Sequence, residues 1–250
     1  MNPKNYLLQI TNLNFTLDNK KILNNLNLSI KPGEVHSIMG PNGSGKSSLA
    51  LILAGHPEFK NFQGSIKFKN KNLKTLSPTE RATQGIFLSF QQPLIIPGIS
   101  VNNVLRSSFN ALQKSQKRTI LGVSQFIKLA RNALKDLNLP FTILARSFND
   151  GFSGGERKKI EVLQYMLLKP QLAIFDEIDS GLDVDALKNI ANNINKLRHK
   201  DQAILIITHY HRILKYLPTD FVHILKNGKI VASGTQNLAK EIEKKGYSHF

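Results

Sequence analysis

Glycines stand at both ends of the run Gly40-Pro41-Asn42-Gly43-Ser44-Gly45, and Lys46, Ser47 and Ser48 follow directly. This spacing suits phosphate chemistry. Glycines let successive backbone N–H groups close around a β-phosphate at a helix N-terminus, the lysine ammonium reaches the β and γ oxygens, and the first serine hydroxyl can hold Mg²⁺. The flanking sequence supplies the order such a loop needs. Val35 to Met39 is a short apolar run that reads as a strand, and Ser47 to Ala54 carries Leu49, Ile52 and Leu53 at helical spacing.

Two further stretches carry chemistry. Leu172 to Phe175 reads as a buried strand running into Asp176 and Glu177, and a core does not tolerate two carboxylates unless a cation or a solvent-lined site meets them. Asp176 is expected to hold Mg²⁺ through water, and Glu177 to polarise an attacking water, a role worth ~10²–10⁴ in rate. Ser153-Gly154-Gly155-Glu156 opens a helix that Pro170 stops, so a small hydroxyl and two glycines form a second anion site that has no lysine. One nucleotide needs only one phosphate loop, and the second site is left over.

The elements that must position these residues follow from the patterning. Leu7 to Ile30 alternates apolar and polar residues in the manner of antiparallel strands, and Gly64 to Leu73 alternates again with Ile66 and Phe68 on one face. Ser77-Pro78-Thr79-Glu80 is a helix start with proline in first place. Val101 to Leu137 has helical spacing broken by Gly122, which predicts a small helical subdomain. Asp183 is expected to cap a helix whose stripe is Leu187, Ile190, Ala191, Ile194 and Leu197, and Ala203 to Ile207 is a second buried strand. Phe221 to Leu225 and Lys229 to Ala232 flank an Asn227-Gly228 hairpin turn. Strands alternating with helices predict an α/β fold with a mainly parallel sheet and its ligand at the strands' carboxyl ends.

The chain has 250 residues, 41% of them hydrophobic and 20% charged, with no cysteine. It therefore has no disulfide, thiolate metal site or cysteine nucleophile of its own. The N-terminus shows neither a signal nor a transit pattern, and the apolar runs fall far short of the ~20 residues that cross a bilayer, so no direct membrane insertion is expected. A net charge of +17 raises nucleic acid as a partner. The basic residues are dispersed and not interleaved with aromatics, which argues against it.

Taken together, the motifs resemble the nucleotide-binding subunits of the ATP-binding cassette family over nearly the whole chain. The resemblance implies ATP and Mg²⁺ as ligands, ATP hydrolysis as the activity, and head-to-tail pairing in which Ser153, Gly154, Gly155 and Glu156 of one copy close the γ-phosphate held by residues 40–48 of another. It also implies that Gln91 senses Mg²⁺ and the attacking water, that Ser180-Gly181-Leu182-Asp183 crosses the dimer interface, and that His209 contacts the γ-phosphate. The Mg²⁺ set is then Ser47, Gln91 and Asp176, and the catalytic set Lys46, Gln91, Glu177 and His209. The aromatic that stacks on adenine in many members aligns with Leu17, with Phe15 as a weaker substitute. The expected layout is one domain over residues 1–250: a nucleotide-binding core with its antiparallel β subdomain in 1–95 and 168–250, and a helical subdomain in 96–167.

Finer features are similar to the soluble ATPases of the SUF iron–sulfur assembly system: Gly151 to Lys159, Asp176 to Asp183, His209-Tyr210-His211-Arg212, Glu34 to Met39 and Glu243 to Tyr247. Transporter subunits usually have Gln where Glu156 stands and Pro-Thr where Ile178-Asp179 stands. That likeness implies SufB- and SufD-like scaffold proteins as partners, in a plastid stroma or a bacterial cytoplasm. A transporter subunit remains the alternative. The run Arg157-Lys158-Lys159 suggests one further contact, Lys158 pairing with Glu177 in the resting subunit.

Overall fold

The computed structural model describes residues 6–209 and 212–249. The alternating N-terminal residues form β1 (Leu8–Leu17) and β2 (Lys20–Ile30), paired antiparallel with Leu8 opposite Ile30. After β3 (Val35–Met39) and α1 (Lys46–Ala54), strand β4 (Gln63–Phe68) returns to pair with β1, and β5 (Lys71–Asn72) lies at its edge. This antiparallel sheet is the β subdomain. Helix α2 (Pro78–Thr83) begins as expected at Ser77, whose hydroxyl accepts the Glu80 N–H while Glu80 reaches back to the Ser77 N–H.

Strand β6 (Ile86–Ser89) leads through a short strand, β7 (Ile96–Ser100), into the helices α3 (Val101–Ser115) and α4 (Val123–Asp136). Gly122 is where α4 starts, so the break seen in the sequence is a helix cap. A two-residue strand, β8 (Ser147–Phe148), pairs with β7 ahead of α5 (Gly154–Leu168), β9 (Leu172–Asp176), α6 (Val184–Leu197) and β10 (Ala203–Ile207). The hairpin β11 (Phe221–Lys226) and β12 (Lys229–Gly234) turns at Asn227 and Gly228, both in the left-handed region, and α7 (Gln236–Lys245) follows.

The central sheet has the order β12-β11-β3-β10-β9-β6, and every pairing in it is parallel except that of β12. Its inner strands are buried on both faces, which is why β9 up to Phe175 and β10 read as continuous apolar runs, while β3 buries His36 and Ser37 among its apolar residues. Successive side chains still go to opposite layers. Ala173, Phe175, Ile204 and Ile206 join the core under α5 and α6, whereas Leu172, Ile174, Leu205 and Ile207 join the core beneath α1 and the β subdomain.

Register decides where the site falls. Ile38 of β3 lies opposite Ile207 of β10, Ile207 opposite Asp176 of β9, and Phe175 opposite Ser89 of β6. The phosphate loop, Asp176, Glu177, Thr208 and the segment after Ser89 therefore emerge together at one edge of the sheet. The expected α/β class, parallel core and antiparallel β subdomain are the architecture found.

Candidate active site

The phosphate loop is shaped by backbone before any side chain acts. Gly45 caps α1 with φ 104°, and a Cβ there would lie 2.8 Å from Leu23 and 2.9 Å from the Ile22 carbonyl. Gly40 is equally constrained, since its missing Cβ would collide with the Leu225 carbonyl. Lys46 is buried, and its ammonium donates to the carbonyls of Gly40 at 2.8 Å and Pro41 at 2.9 Å, which folds the side chain along the loop it serves. Burial lowers the Lys46 pKa, while Glu177 and Asp176 pull it back up.

Asp176 closes β9 in a buried position and interacts with the Ser47 hydroxyl. Burial pushes its carboxyl up to about 6 against the pull of Ser47, and Glu177 adds to the rise. Its Oδ1 has no hydrogen-bond partner among the described residues, an expensive condition for a buried oxygen that a cation would relieve. A carboxylate beside a serine hydroxyl supplies hard oxygen donors of the kind Mg²⁺ takes together with phosphate oxygens. Among the described residues no three His, Cys, Asp or Glu side chains form an all-protein metal cage.

Glu177 follows in the left-handed region, φ 50°, with its N–H on the Ile207 carbonyl at 2.8 Å. That bend brings its carboxylate between two expected residues. Gln91 Nε2 donates to Oε2 at 2.8 Å, and His209 Nδ1 lies 3.2 Å from Oε1. Behind them the Thr208 hydroxyl reaches both oxygens of the buried Asp179, at 3.1 and 3.0 Å, and so ties the residue before His209 to the segment after Glu177. Asp183 caps α6 by accepting the Ala186 N–H at 2.7 Å.

The other expected anion site is a capping box. Ser153 Oγ accepts the Glu156 N–H at 3.2 Å, and Glu156 accepts the Ser153 N–H at 2.9 Å. That backbone N–H holds the Glu156 carboxyl below its ordinary pKa, and Arg146, stacked over the Phe152 ring, sits 3.6 Å from it. A Cβ on Gly154 would meet nothing within 4 Å. No hydrogen bond or ion pair among the described residues joins this segment to residues 40–48.

Lys158 does not pair with Glu177. Its ammonium lies 3.6 Å from Glu161 Oε2 and donates to the carbonyls of Phe90 at 3.0 Å and Gln91 at 3.1 Å. Lys158 and Glu161 are three residues apart on one helix and share a buried face. Glu161 is the residue the motifs do not reveal; the i,i+3 spacing was the available signal, masked by its apolar neighbours Ile160 and Val162. Phe15 is buried and stacked on Phe59 at 5.2 Å, so it is part of the core and not an adenine platform, while Leu17 is half-buried near the end of β1. Tyr210 and His211 of the quoted motif, and Met1 to Asn5 at the N-terminus, lie outside the described residues.

A phosphate loop, a strand-end carboxylate pair and a facing glutamine and histidine, all at the carboxyl edge of one parallel sheet, define a P-loop ATPase. The model of the family described as ABC transporter matches residues 23–180, and the chain belongs to that family. It is 45% identical to the probable ATP-dependent transporter SufC of Escherichia coli (strain K12), over 96% of this chain and 97% of that protein. It is 46% identical to the probable ATP-dependent transporter ycf16 of Antithamnion sp., over 97% of each. The solved ADP conformation of an ATP-binding cassette of an ABC transporter is 27% identical with a TM-score of 0.75, covering 96% of this chain and 95% of that one. The chain is an ATPase of the ABC type. No helix among its described residues is long and apolar enough to cross a membrane.

Proposed function

We propose that this ATPase drives the SUF iron–sulfur assembly machinery, reshaping a SufB- and SufD-like scaffold through ATP-dependent head-to-tail pairing of two copies. The observation that carries the reading is the pair of positions where transporter subunits differ. Glu156 is engaged in the capping box and Asp179 is buried on Thr208, so both acids have a defined structural task. Near full-length likeness to SufC supports the same assignment, with a plastid stroma or a bacterial cytoplasm as the compartment.

Within one copy, residues 40–48 cradle the ATP phosphates and Lys46 exchanges its two loop carbonyls for phosphate oxygens. Ser47, Asp176 and Gln91 would hold Mg²⁺, which would supply neutralisation of the charge on those phosphates. Glu177 is the base for the attacking water; Gln91 and His209 orient it, and His209 also reaches the γ-phosphate. Ser153, Gly154, Gly155 and Glu156 complete the site from the other copy, where a helix N-terminus favours the anion.

A second reading, the nucleotide-binding subunit of a membrane transporter, has the names of the relatives in its favour. Such a subunit would receive its permease in the groove of about 730 Å³ beside Phe90, lined by Phe87, Leu88, Leu112, Arg118 and Lys169. A pull-down with tagged Glu177→Gln protein and Mg-ATP from the native source separates the two. Recovery of SufB- and SufD-like scaffolds supports the first, and recovery of an integral membrane permease overturns it.

A further inference from the structure

The buried ion pair on α5 spends nearly all its bonds on one short segment. Glu161 is 3% exposed and Lys158 4% exposed, and two charges are not kept in such a place without partners. Glu161 Oε2 accepts from the Ser89 hydroxyl at 2.8 Å, and Oε1 from the Phe90 N–H at 2.8 Å. Lys158 donates to the carbonyls of Phe90 and Gln91. The two charges thus grip three consecutive residues, Ser89, Phe90 and Gln91, from both the donor and the acceptor side. These residues leave the carboxyl end of β6, the edge strand of the central sheet, where ladder hydrogen bonding runs out. The last of them sends its amide to Glu177 Oε2 at 2.8 Å.

We propose that Glu161 is a positioning residue for ATP hydrolysis: it fixes the backbone of Ser89, Phe90 and Gln91 against α5 so that the Gln91 side chain meets Glu177. The proposal rests on the roles given above to Gln91 and Glu177. A pair that served only to pack α5 on the sheet would be replaceable by apolar side chains of the same volume. This one is aimed at backbone groups whose placement sets the reach of a single amide. A displacement of about 1 Å at such a contact costs on the order of 10²-fold in rate. Since α5 begins at the Ser153 cap, about two turns away, the helix that faces a second copy also sets the loop beside its own Glu177.

The test is a double-mutant cycle on the full-length protein, with steady-state ATPase, fluorescent-nucleotide binding and thermal unfolding measured on every variant. Glu161→Gln keeps the shape and removes the charge; Ser89→Ala removes one hydroxyl and keeps the ion pair, and serves if Glu161→Gln folds poorly. Each is expected to lower kcat, Glu161→Gln by about tenfold or more, with KM for ATP and nucleotide affinity within about twofold of wild type. Combined with Gln91→Ala, neither should lower kcat beyond Gln91→Ala alone. Losses that multiply in the double variants, or a rise in KM that accounts for the lost activity, overturn the proposal while leaving Gln91 and Glu177 in place. An unchanged kcat in Gln91→Ala overturns the role of Gln91 itself, and the proposal falls with it.

Discussion

The two halves of the proposed nucleotide site are built on opposite terms. At the sheet edge every functional group is buried or engaged: Lys46 lies on two carbonyls, both oxygens of Glu177 have partners, and Asp176 faces Ser47. The start of α5 is exposed and capped by its own residues, and beyond Gly154 there is open space. The capping box accounts for the N–H groups of Ser153 and Glu156, and helix geometry leaves those of Gly154 and Gly155 without an intrahelical acceptor. A chain can hold the first arrangement alone. The second gains its value when something anionic is brought to it, which is what the proposed pairing of two copies would do.

Removing the proposed base should strike the closed half hardest. Glu177→Gln should lower kcat by ~10²–10⁴ while leaving the fold intact, and with Mg-ATP the variant should run as a dimer in light scattering. Turnover at the wild-type rate breaks the assignment of Glu177. The open half has its own decisive substitution. Gly154→Glu adds a side chain whose Cβ has open space, on an exposed residue at a helix start that favours acids, so thermal stability should hold. Its carboxylate would face the partner's γ-phosphate, and activity should fall by about 10²-fold. Mixed one to one with Lys46→Ala, it should regain about a quarter of wild-type turnover, since half of randomly formed two-fold pairs hold one intact composite site. No recovery would show that the two halves do not meet between copies.

A third polar cluster is buried like the first but closed on itself. His36 Nδ1 and His223 Nε2 are 2.9 Å apart, His223 Nδ1 is 2.8 Å from the Ser233 hydroxyl, and His36 Nε2 is 3.0 Å from Glu34. Burial, helped by His36, holds His223 down to about 4. Unfolded, its imidazole takes a proton below about 6.5, and folded it does not until about 4. The stability it contributes is therefore complete above about 6.5 and is lost as the pH falls toward 4, about 2 kcal/mol of it by pH 5. Wild-type protein should melt several degrees lower at pH 5 than at pH 7, and His223→Gln should flatten part of that slope. An identical slope in the variant would place the acid sensitivity elsewhere.

What the sequence made legible was whatever is local. The phosphate loop works through backbone and spacing, so its pattern carries its mechanism. Strands β9 and β10 announce themselves because burial on both faces goes with an unbroken apolar run, Leu172 to Phe175 and Ala203 to Ile207. Caps such as Ser77, Ser153 and Asp183 act within three residues of themselves. What stayed hidden depends on neighbours distant along the chain. The choice of Lys158 between Glu177 and Glu161 is settled by the end of β6, and Glu161 meets Phe90 across 71 residues. Phe15 is an exposed platform or a core residue according to where Phe59 lies, and His36 finds His223 across 187 residues.

The smallest expected effect separates the two tasks of one hydroxyl. Ser153 caps α5 in its own chain and is assigned to the γ-phosphate of another. Ser153→Ala removes both, and loss of the cap alone should cost about 1 kcal/mol, a fall of about 2–4 °C in melting temperature. Ser153→Asp divides them, because aspartate caps a helix as well as serine does but presents a carboxylate where the phosphate must come. Its melting temperature should match the wild type while its turnover falls at least as far as that of Ser153→Ala. Full turnover in Ser153→Asp would mean that no phosphate approaches this helix end, and the exposed half of the comparison would reduce to an ordinary capping box.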